Sequence, residues 1–434
     1  MHRAQTKPCR TVFVAGLLFS SLLLSAACSS PATEQAPAAT GVTVFEGARL
    51  IVGDDSAPID NAAFIVDDGR IVEVGRVGDV QVPAGAARVD LTGKTVMPAI
   101  VDTHTHLNSK SREDLVEHLQ RKAYYGVGVA MSLGQDVTDA AFQVREETIP
   151  GAARFRTAGR GITGPEPGRP EVPYWVSTEA DARKAVQEQA ARKVDIIKIW
   201  VDDRDDMFKK LTPAIYGAII DEAHKQGIRV TAHIFELEDA KGLLRAGLDA
   251  FAHGVRDKDI DQQFMTLMKE HSQVVLVPNL PNRGVAADLG WLSDSVPAAE
   301  LQKLQAAATD QPQQQEAYGI QARNLAKLNA AGVPIALGTD GGVPYAHHLE
   351  MEDMVAAGMT PAQVIRASTR AAADFLRMPD VGSIEQGKSA DFLVLDANPL
   401  DDITNTRRIS AVYLRGEAID RAAMRARMMG RTTE

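Results

Sequence analysis

Two histidines one residue apart, His104 and His106, stand at the end of an apolar run that begins at Val96. Side chains alternate across a strand, so both imidazoles leave the same face and one metal ion can take both. Four later segments carry ligand-type residues in the same place. Asp195-Ile196-Ile197-Lys198-Ile199-Trp200 has a lysine inside a β-branched apolar run. Residues 229–233 end in His233, residues 250–254 carry His253, and residues 334–340 end in Asp340 before Gly341 and Gly342. A buried lysine or aspartate is costly unless it is paired or bound to a metal. Taken singly, each has an ordinary reading: a snorkelling lysine, hydrogen-bonded core histidines, a turn aspartate.

The text between these segments alternates strand-like and helix-like patterns. Residues 127–133 read as a strand and 274–280 as the seventh strand of a series. Residues 180–193, 213–226 and 237–246 read as helices, the last two closed by Gly227 and Gly247. Such alternation predicts a parallel α/β sheet. Both chain ends differ: residues 42–90 hold short strands with a hairpin turn at Asp67-Asp68-Gly69-Arg70, and residues 392–395 and 411–414 have the same character. Residues 159–176 form a Gly/Pro-rich stretch expected to be a lid, and 281–315 an Ala/Gln-rich excursion on the active-site side or an interface. The acids Asp202, Asp203, Asp205 and Asp206 read as a solvated helix start. His347 and His348 follow Asp340 closely enough to reach substrate, with a structural role expected for at least one. His118, His224 and His271 read as surface residues.

The order of ligand-type residues resembles the amidohydrolase superfamily, in its two-metal, carboxylated-lysine form and its imidazolonepropionase- and prolidase-like branch. The phrase Ile384-Glu385-Gln386-Gly387-Lys388-Ser389-Ala390-Asp391 is similar to that family's C-terminal signature, and the likeness covers residues 41–416. Ala99 stands where relatives often carry glycine. The resemblance implies an α/β protein, a (β/α)8 TIM barrel with a small β-sandwich built from both chain ends. The sandwich would take residues 41–95 and 382–420, the barrel 96–381, with a C-terminal tail at 421–434. It also implies two divalent metal ions, zinc first among them, bridged by Lys198 after its amine has taken up carbon dioxide. His104, His106 and Asp340 would bind the more buried ion, and His233 and His253 the other. A metal-bridging hydroxide would attack, with Asp340 taking its proton. Dipeptides, N-acyl amino acids and cyclic amides are the implied substrates, held at a carboxylate by Arg160, Tyr174, Arg256 or Tyr345. Trp175 and Trp200 are candidates for an apolar wall. The alternatives are a deaminase, a lactone or phosphotriester hydrolase, or a non-enzymatic surface binding lipoprotein.

The chain has 434 residues, 45% hydrophobic and 24% charged, enough for one large domain with a satellite. Residues 1–27 read as a signal peptide: His2, Arg3, Lys7 and Arg10 precede an apolar run that ends in Ser25-Ala26-Ala27. Cys28 follows directly and resembles a lipoprotein cleavage site, with 28–40 as a flexible tether rich in Ser, Pro, Ala and Thr. The expected address is the bacterial cell envelope, at an outer membrane facing the periplasm. Cys9 and Cys28 are the two cysteines, so any metal site must be built from nitrogen and oxygen ligands. A net charge of −10, more negative once the basic leader is removed, argues against nucleic-acid binding. The expected partners are a small-molecule substrate and a membrane only through lipid on Cys28, with a homo-oligomer left open.

Overall fold

The computed structural model describes residues 41–430. The segments expected to be a leader and a tether, with Cys28 between them, lie outside the described residues, as does the end of the C-terminal tail. Among the described residues, no helix is long and apolar enough to cross a membrane.

Both chain ends build one eight-stranded sheet. Its order runs Glu417–Ala418, Ile409–Leu414, Phe392–Leu395, Thr95–Pro98, Thr43–Leu50, Ile59–Asp67, Arg70–Arg76, with Ala87–Asp90 also paired to Thr43–Leu50. The alternating pattern places Phe45, Phe64, Phe392 and Tyr413 on one face. There Phe45 stacks on Phe64 at 5.0 Å and Phe392 on Tyr413 at 4.6 Å, and both stacks are joined edge-on. The hairpin turn falls where its residues require it: Asp67 pairs with Arg70, and Asp68 and Gly69 take φ of 45° and 72°.

The rest is parallel α/β structure. Ile100–Thr105, Val127–Ser132 and Arg154–Thr157 pair in that order. Tyr174–Trp175, Ile162–Thr163, Ile197–Val201, Val230–Ile234, Ala250–Ala252 and Val275–Val277 form the second parallel set. Hydrogen bonds cross the remaining gaps. Asp195 N donates to Thr157 O at 3.0 Å. Residues 334–339 lie between the last and first strands, with Ala336 N on Leu276 O and Thr103 N on Leu337 O, both at 3.0 Å. Helices pack outside these strands through small and branched residues such as Ala182, Val186, Ile219 and Leu243. Thr178 and Thr212 cap the helices Glu179–Ala191 and Pro213–Lys225, their side chains accepting from Asp181 N and Ile215 N.

Four details differ from the sequence reading. The apolar run before His104 is two strands rather than one: Thr95–Pro98 belongs to the end-built sheet, and Ile100–Thr105 starts the parallel set. Ala99 sits at the crossing, its N–H bonded to Asp391 O. The seventh strand shortens to Val275–Val277 because Pro278 supplies no N–H to continue it. The acidic run opens no helix; Arg204, Asp205 and Asp206 have φ between 58° and 62° in a turn. The C-terminal segment carries a helix, Arg421–Met429, whose Met424 and Met428 are buried in a cluster with Tyr124, Tyr125 and Tyr345.

Candidate metal centre

Strand register decides which side chains meet. Lys198 and Trp200 are two apart on Ile197–Val201 and share a face, and they pair laterally with Thr231 and His233 of the next strand. His104 lies on Ile100–Thr105, His253 directly follows Ala250–Ala252, and Asp340 follows the segment 334–339, which meets the neighbouring strand in a single bridge, Leu276 with Ile335. His253 and Asp340 have φ of 151° and 53°, values that residues with a Cβ rarely adopt and that cluster at functional sites. Asp340 is held there because its N–H and that of Thr339 both reach His104 O, at 2.8 and 2.9 Å.

Three imidazoles converge on one carboxylate. His104 Nε2 and His106 Nε2 lie 3.0 Å from Asp340 Oδ1, and His253 Nε2 lies 3.3 Å from Asp340 Oδ2. Lys198 Nζ stands 3.3 Å from His104 Nε2, with Lys198 and His104 both fully buried. His233 joins through its ring, 4.5 Å from that of His253, while its Nε2 meets Asp202 Oδ2 at 2.9 Å. All six residues singled out in the sequence are thus brought together. His104, His253 and Asp340 offer ligand atoms within 4.8 Å of one another.

Burial sets the charge states. It lowers His104 to about 3, with Lys198 adding repulsion, and His233 to about 4, so both imidazoles are neutral near pH 7. Burial also brings Lys198 down to about 7. For Asp340, burial pushes upward, but His104 and His253 and the hydrogen bonds from His104 and His106 outweigh it and keep the carboxylate ionised.

These residues fit divalent cations. Neutral imidazoles, a carboxylate and a deprotonatable amine form a nitrogen and oxygen donor set. Buried ring nitrogens are also left over: among the described residues, His253 Nδ1 and Nε2 and His106 Nδ1 have no hydrogen-bond partner. The Asn279 carboxamide meets His104 Nδ1 at 2.7 Å, and its Oδ1 is unpartnered. A half-turn of that amide makes Oδ1 the acceptor of Nδ1–H and frees Nε2 for a cation.

The four residues considered for substrate carboxylate binding separate. Arg256 is largely buried, its Nε has no partner among the described residues, and its charge is felt at Asp340, Lys198, His233 and His253. Arg160 stacks on Tyr174 at 4.1 Å and donates to the carbonyls of Glu171, Val172 and Pro173, so this pair braces its own loop. Tyr345 packs with Tyr125 and Trp291. His347 and His348 are both structural, each with Nε2 on Tyr125 O. Trp200 lies with its ring 5.3 Å from Lys198 Nζ and lines a neighbouring cavity of about 590 Å³ bounded by Glu166, Arg169, Pro173 and Arg204. A Cβ at Gly134 or Gly161 would come within 2.6 or 2.1 Å of that ring, so these glycines make room for it.

Sequence reasoning missed Asp202, Asn279 and a buried ion pair on the strand that carries His104, Lys122 Nζ with Asp102 Oδ2. Asn279 follows the seventh strand, a position that flags a polar residue in the same way as His253. Lys122 had no such signal, being one lysine in a polar helix.

The model of the amidohydrolase family matches residues 95–419. Among relatives, the ochratoxinase of Aspergillus niger is 27% identical over 420 residues, covering 83% of this chain and 82% of its own. The imidazolonepropionase of Halobacterium salinarum is 28% identical over 397 residues, covering 82% and 91%. Among solved structures, a Bifidobacterium longum protein provisionally named a prolidase superposes with a TM-score of 0.72 at 27% identity, over 89% of this chain and 98% of that one. The chain belongs to the amidohydrolase family, in its imidazolonepropionase- and prolidase-like branch, whose fold implies a TIM barrel. It is accordingly a hydrolase acting on carbon–nitrogen bonds.

Proposed function

We propose that this protein hydrolyses the amide bond of a small substrate carrying a free carboxylate, such as a dipeptide, an N-acyl amino acid or a cyclic amide, at a two-cation centre. The observation that carries the reading is the convergence of His104, His106 and His253 on Asp340 beside a buried Lys198. In this reading the parallel strands close as an eight-stranded barrel, and the end-built sheet folds over its aromatic cluster as a β-sandwich. The centre then lies at the C-terminal strand ends, where such barrels place their chemistry. Export and a lipid anchor on Cys28 belong to the same proposal.

His104, His106 and Asp340 would hold one divalent cation and His233 and His253 the other, with zinc the first choice for such donors. Lys198 would help hold both as a carbamate: its neutral amine attacks the carbon of carbon dioxide, an N–C bond forms as one C=O π pair moves onto oxygen, and one proton leaves the nitrogen. The descent of Lys198 to about 7 supplies that neutral amine. When bound, the cations would supply Lewis acidity and a water acidic enough to ionise near neutral pH. Asp340 accepts the proton of the attacking water at a carboxylate oxygen. It returns that proton to the amine nitrogen as the C–N bond breaks. Arg256 orients the substrate by its carboxylate, its unpartnered Nε being available for that bond. Trp200 excludes water on the Lys198 side.

The test is metal analysis joined to a substrate panel. Protein lacking residues 1–28, loaded with zinc, manganese or cobalt, should hold about two ions per chain and cleave members of a dipeptide, N-acyl amino acid and lactam panel. A metal-stripped preparation with undiminished turnover, or activity on lactones alone, would reject the reading.

A further inference from the structure

The imidazoles of the centre are not treated alike. Three of them direct Nε2 at Asp340. His233 directs Nε2 at Asp202 Oδ2, 2.9 Å away, a contact that is largely sheltered from solvent. That carboxylate is itself fixed. Arg204 Nη1 donates to the same oxygen at 2.7 Å, and Arg204 N donates to Oδ1 at 2.9 Å. The guanidinium is held in turn by Glu166, 3.4 Å from its Nε, and Glu166 takes a second ion pair from Arg169 at 3.1 Å.

We propose that Asp202 is the positioning residue for the second cation: it takes the Nε2–H of His233, and so turns the bare Nδ1 of that ring toward the centre. A carboxylate accepts and cannot donate when ionised, so this contact selects one imidazole tautomer. Metal-binding histidines use their second ring nitrogen in this way, and loss of the partner costs about 10–100-fold in metal affinity. Arg204 keeps Asp202 from rotating away. Through Glu166 it also ties the arrangement to residues 159–176, which wall the cavity beside Trp200. The two cation positions are therefore unequal. The Asp340 position is braced by the buried partners Asn279 and Asp102, whereas the His233 position depends on a charge chain that runs out to a surface loop. The inference rests on the two-cation reading and deepens it.

The experiment uses the full chain with labelled histidine nitrogens. In metal-free protein, long-range proton–nitrogen correlation should show His233 as the Nε2–H tautomer, its signal assigned from a His233→Asn variant. Zinc titration of Asp202→Ala should show the tighter site unchanged and the weaker one loosened by about 10–100-fold. Asp202→Asn is the near-isosteric second variant. It keeps an acceptor oxygen but not the charge, and should loosen the same site by a smaller factor. An Nδ1–H tautomer in the wild type, or weaker-site affinity within about twofold of wild type in both variants, overturns the proposal. Equal loss at both sites in a folded variant also overturns it. A wild-type chain that binds only one ion rejects the two-cation reading instead. The tautomer, measured without metal, then still judges Asp202.

Discussion

Lys122 Nζ meets Asp102 Oδ2 at 2.9 Å with neither side chain exposed to solvent. The same oxygen accepts from Thr339 Oγ1 at 2.9 Å, and Oδ1 accepts from His104 N at 3.3 Å. This one carboxylate thus braces the strand that carries His104 to the segment that carries Asp340. Removing only the lysine leaves a buried charge uncompensated, which typically costs 3–5 kcal/mol. Lys122→Met is expected to lose stability of about that size. The double variant Lys122→Met with Asp102→Leu should regain part of it, because the orphan charge is gone. It should not regain cation affinity, because the brace is gone too. Urea unfolding and zinc titration of both variants separate the two effects, and a single variant as stable as wild type contradicts the account.

Gly338 is a position where no side chain fits. A Cβ there would stand 2.5 Å from Val277 Cγ1, 2.6 Å from Asn279 Oδ1 and 2.7 Å from His104 Cβ. Gly338→Ala should therefore push His104 and its Asn279 partner apart, costing about 1–3 kcal/mol in overpacking and, on the two-cation reading, loosening the site at Asp340. Gly341→Ala is the control, since its Cβ would find only Thr339 O at 3.8 Å. Thermal unfolding with and without zinc distinguishes them. Equal behaviour of the two variants would show that the close approach does not matter.

The residues that converge on Asp340 were readable because each interrupts or ends an apolar run with a group that is costly to bury, and strand ends gather at one face of a parallel sheet. The partners of those ligands were hidden for the opposite reason. Asp202 sits among four acids, and a cluster of acids reads as solvated; only the pairing of Trp200 with His233 across two strands brings its carboxylate to a ring. Lys122 lies on the helix Arg112–Tyr124 among Arg121, Glu117 and Gln120, and nothing local marks it as the one basic residue that turns inward. The split at Ala99 was equally silent, since both strands are apolar and the break is set by long-range pairing to Phe392–Leu395. Arg160 and Tyr174 have the right chemistry for a carboxylate but satisfy each other.

The buried imidazoles make the metal-free protein acid-sensitive. His104 and His233 titrate at about 3 and about 4 in the folded chain, against 6.5 for an unperturbed imidazole. Below 6.5 the unfolded chain binds these protons and the folded chain does not, so stability falls as pH drops from 6.5 toward 4. Each group contributes about 1.4 kcal/mol per pH unit in that window, so two of them amount to about 4 kcal/mol between pH 7 and pH 5. Urea unfolding of stripped protein at these two pH values measures the difference. His253, His347 and His348 are lowered by burial as well and add to the fall, so His233→Gln should remove only its own share, about 2 kcal/mol, and a pH-independent midpoint would contradict neutral burial.

Lys198 gives the sharpest test of the bridge. Its side chain is fully buried between His104 and Trp200, so Lys198→Ala opens a space large enough for a short carboxylic acid. The amine, and any carbamate formed on it, disappears, but a carboxylate entering that space restores two oxygens in nearly the same place. Turnover of Lys198→Ala is expected to fall by at least ~10²-fold, with cation content dropping toward one per chain. Acetate or propionate should restore part of both, whereas ethylamine, which resembles the bare lysine, should restore neither. Lys198→Met fills the space and should be refractory to rescue. Rescue by the amine rather than the acids would mean that Lys198 acts as an ordinary base. A Lys198→Ala protein that keeps both cations and full turnover would remove the bridge from the mechanism.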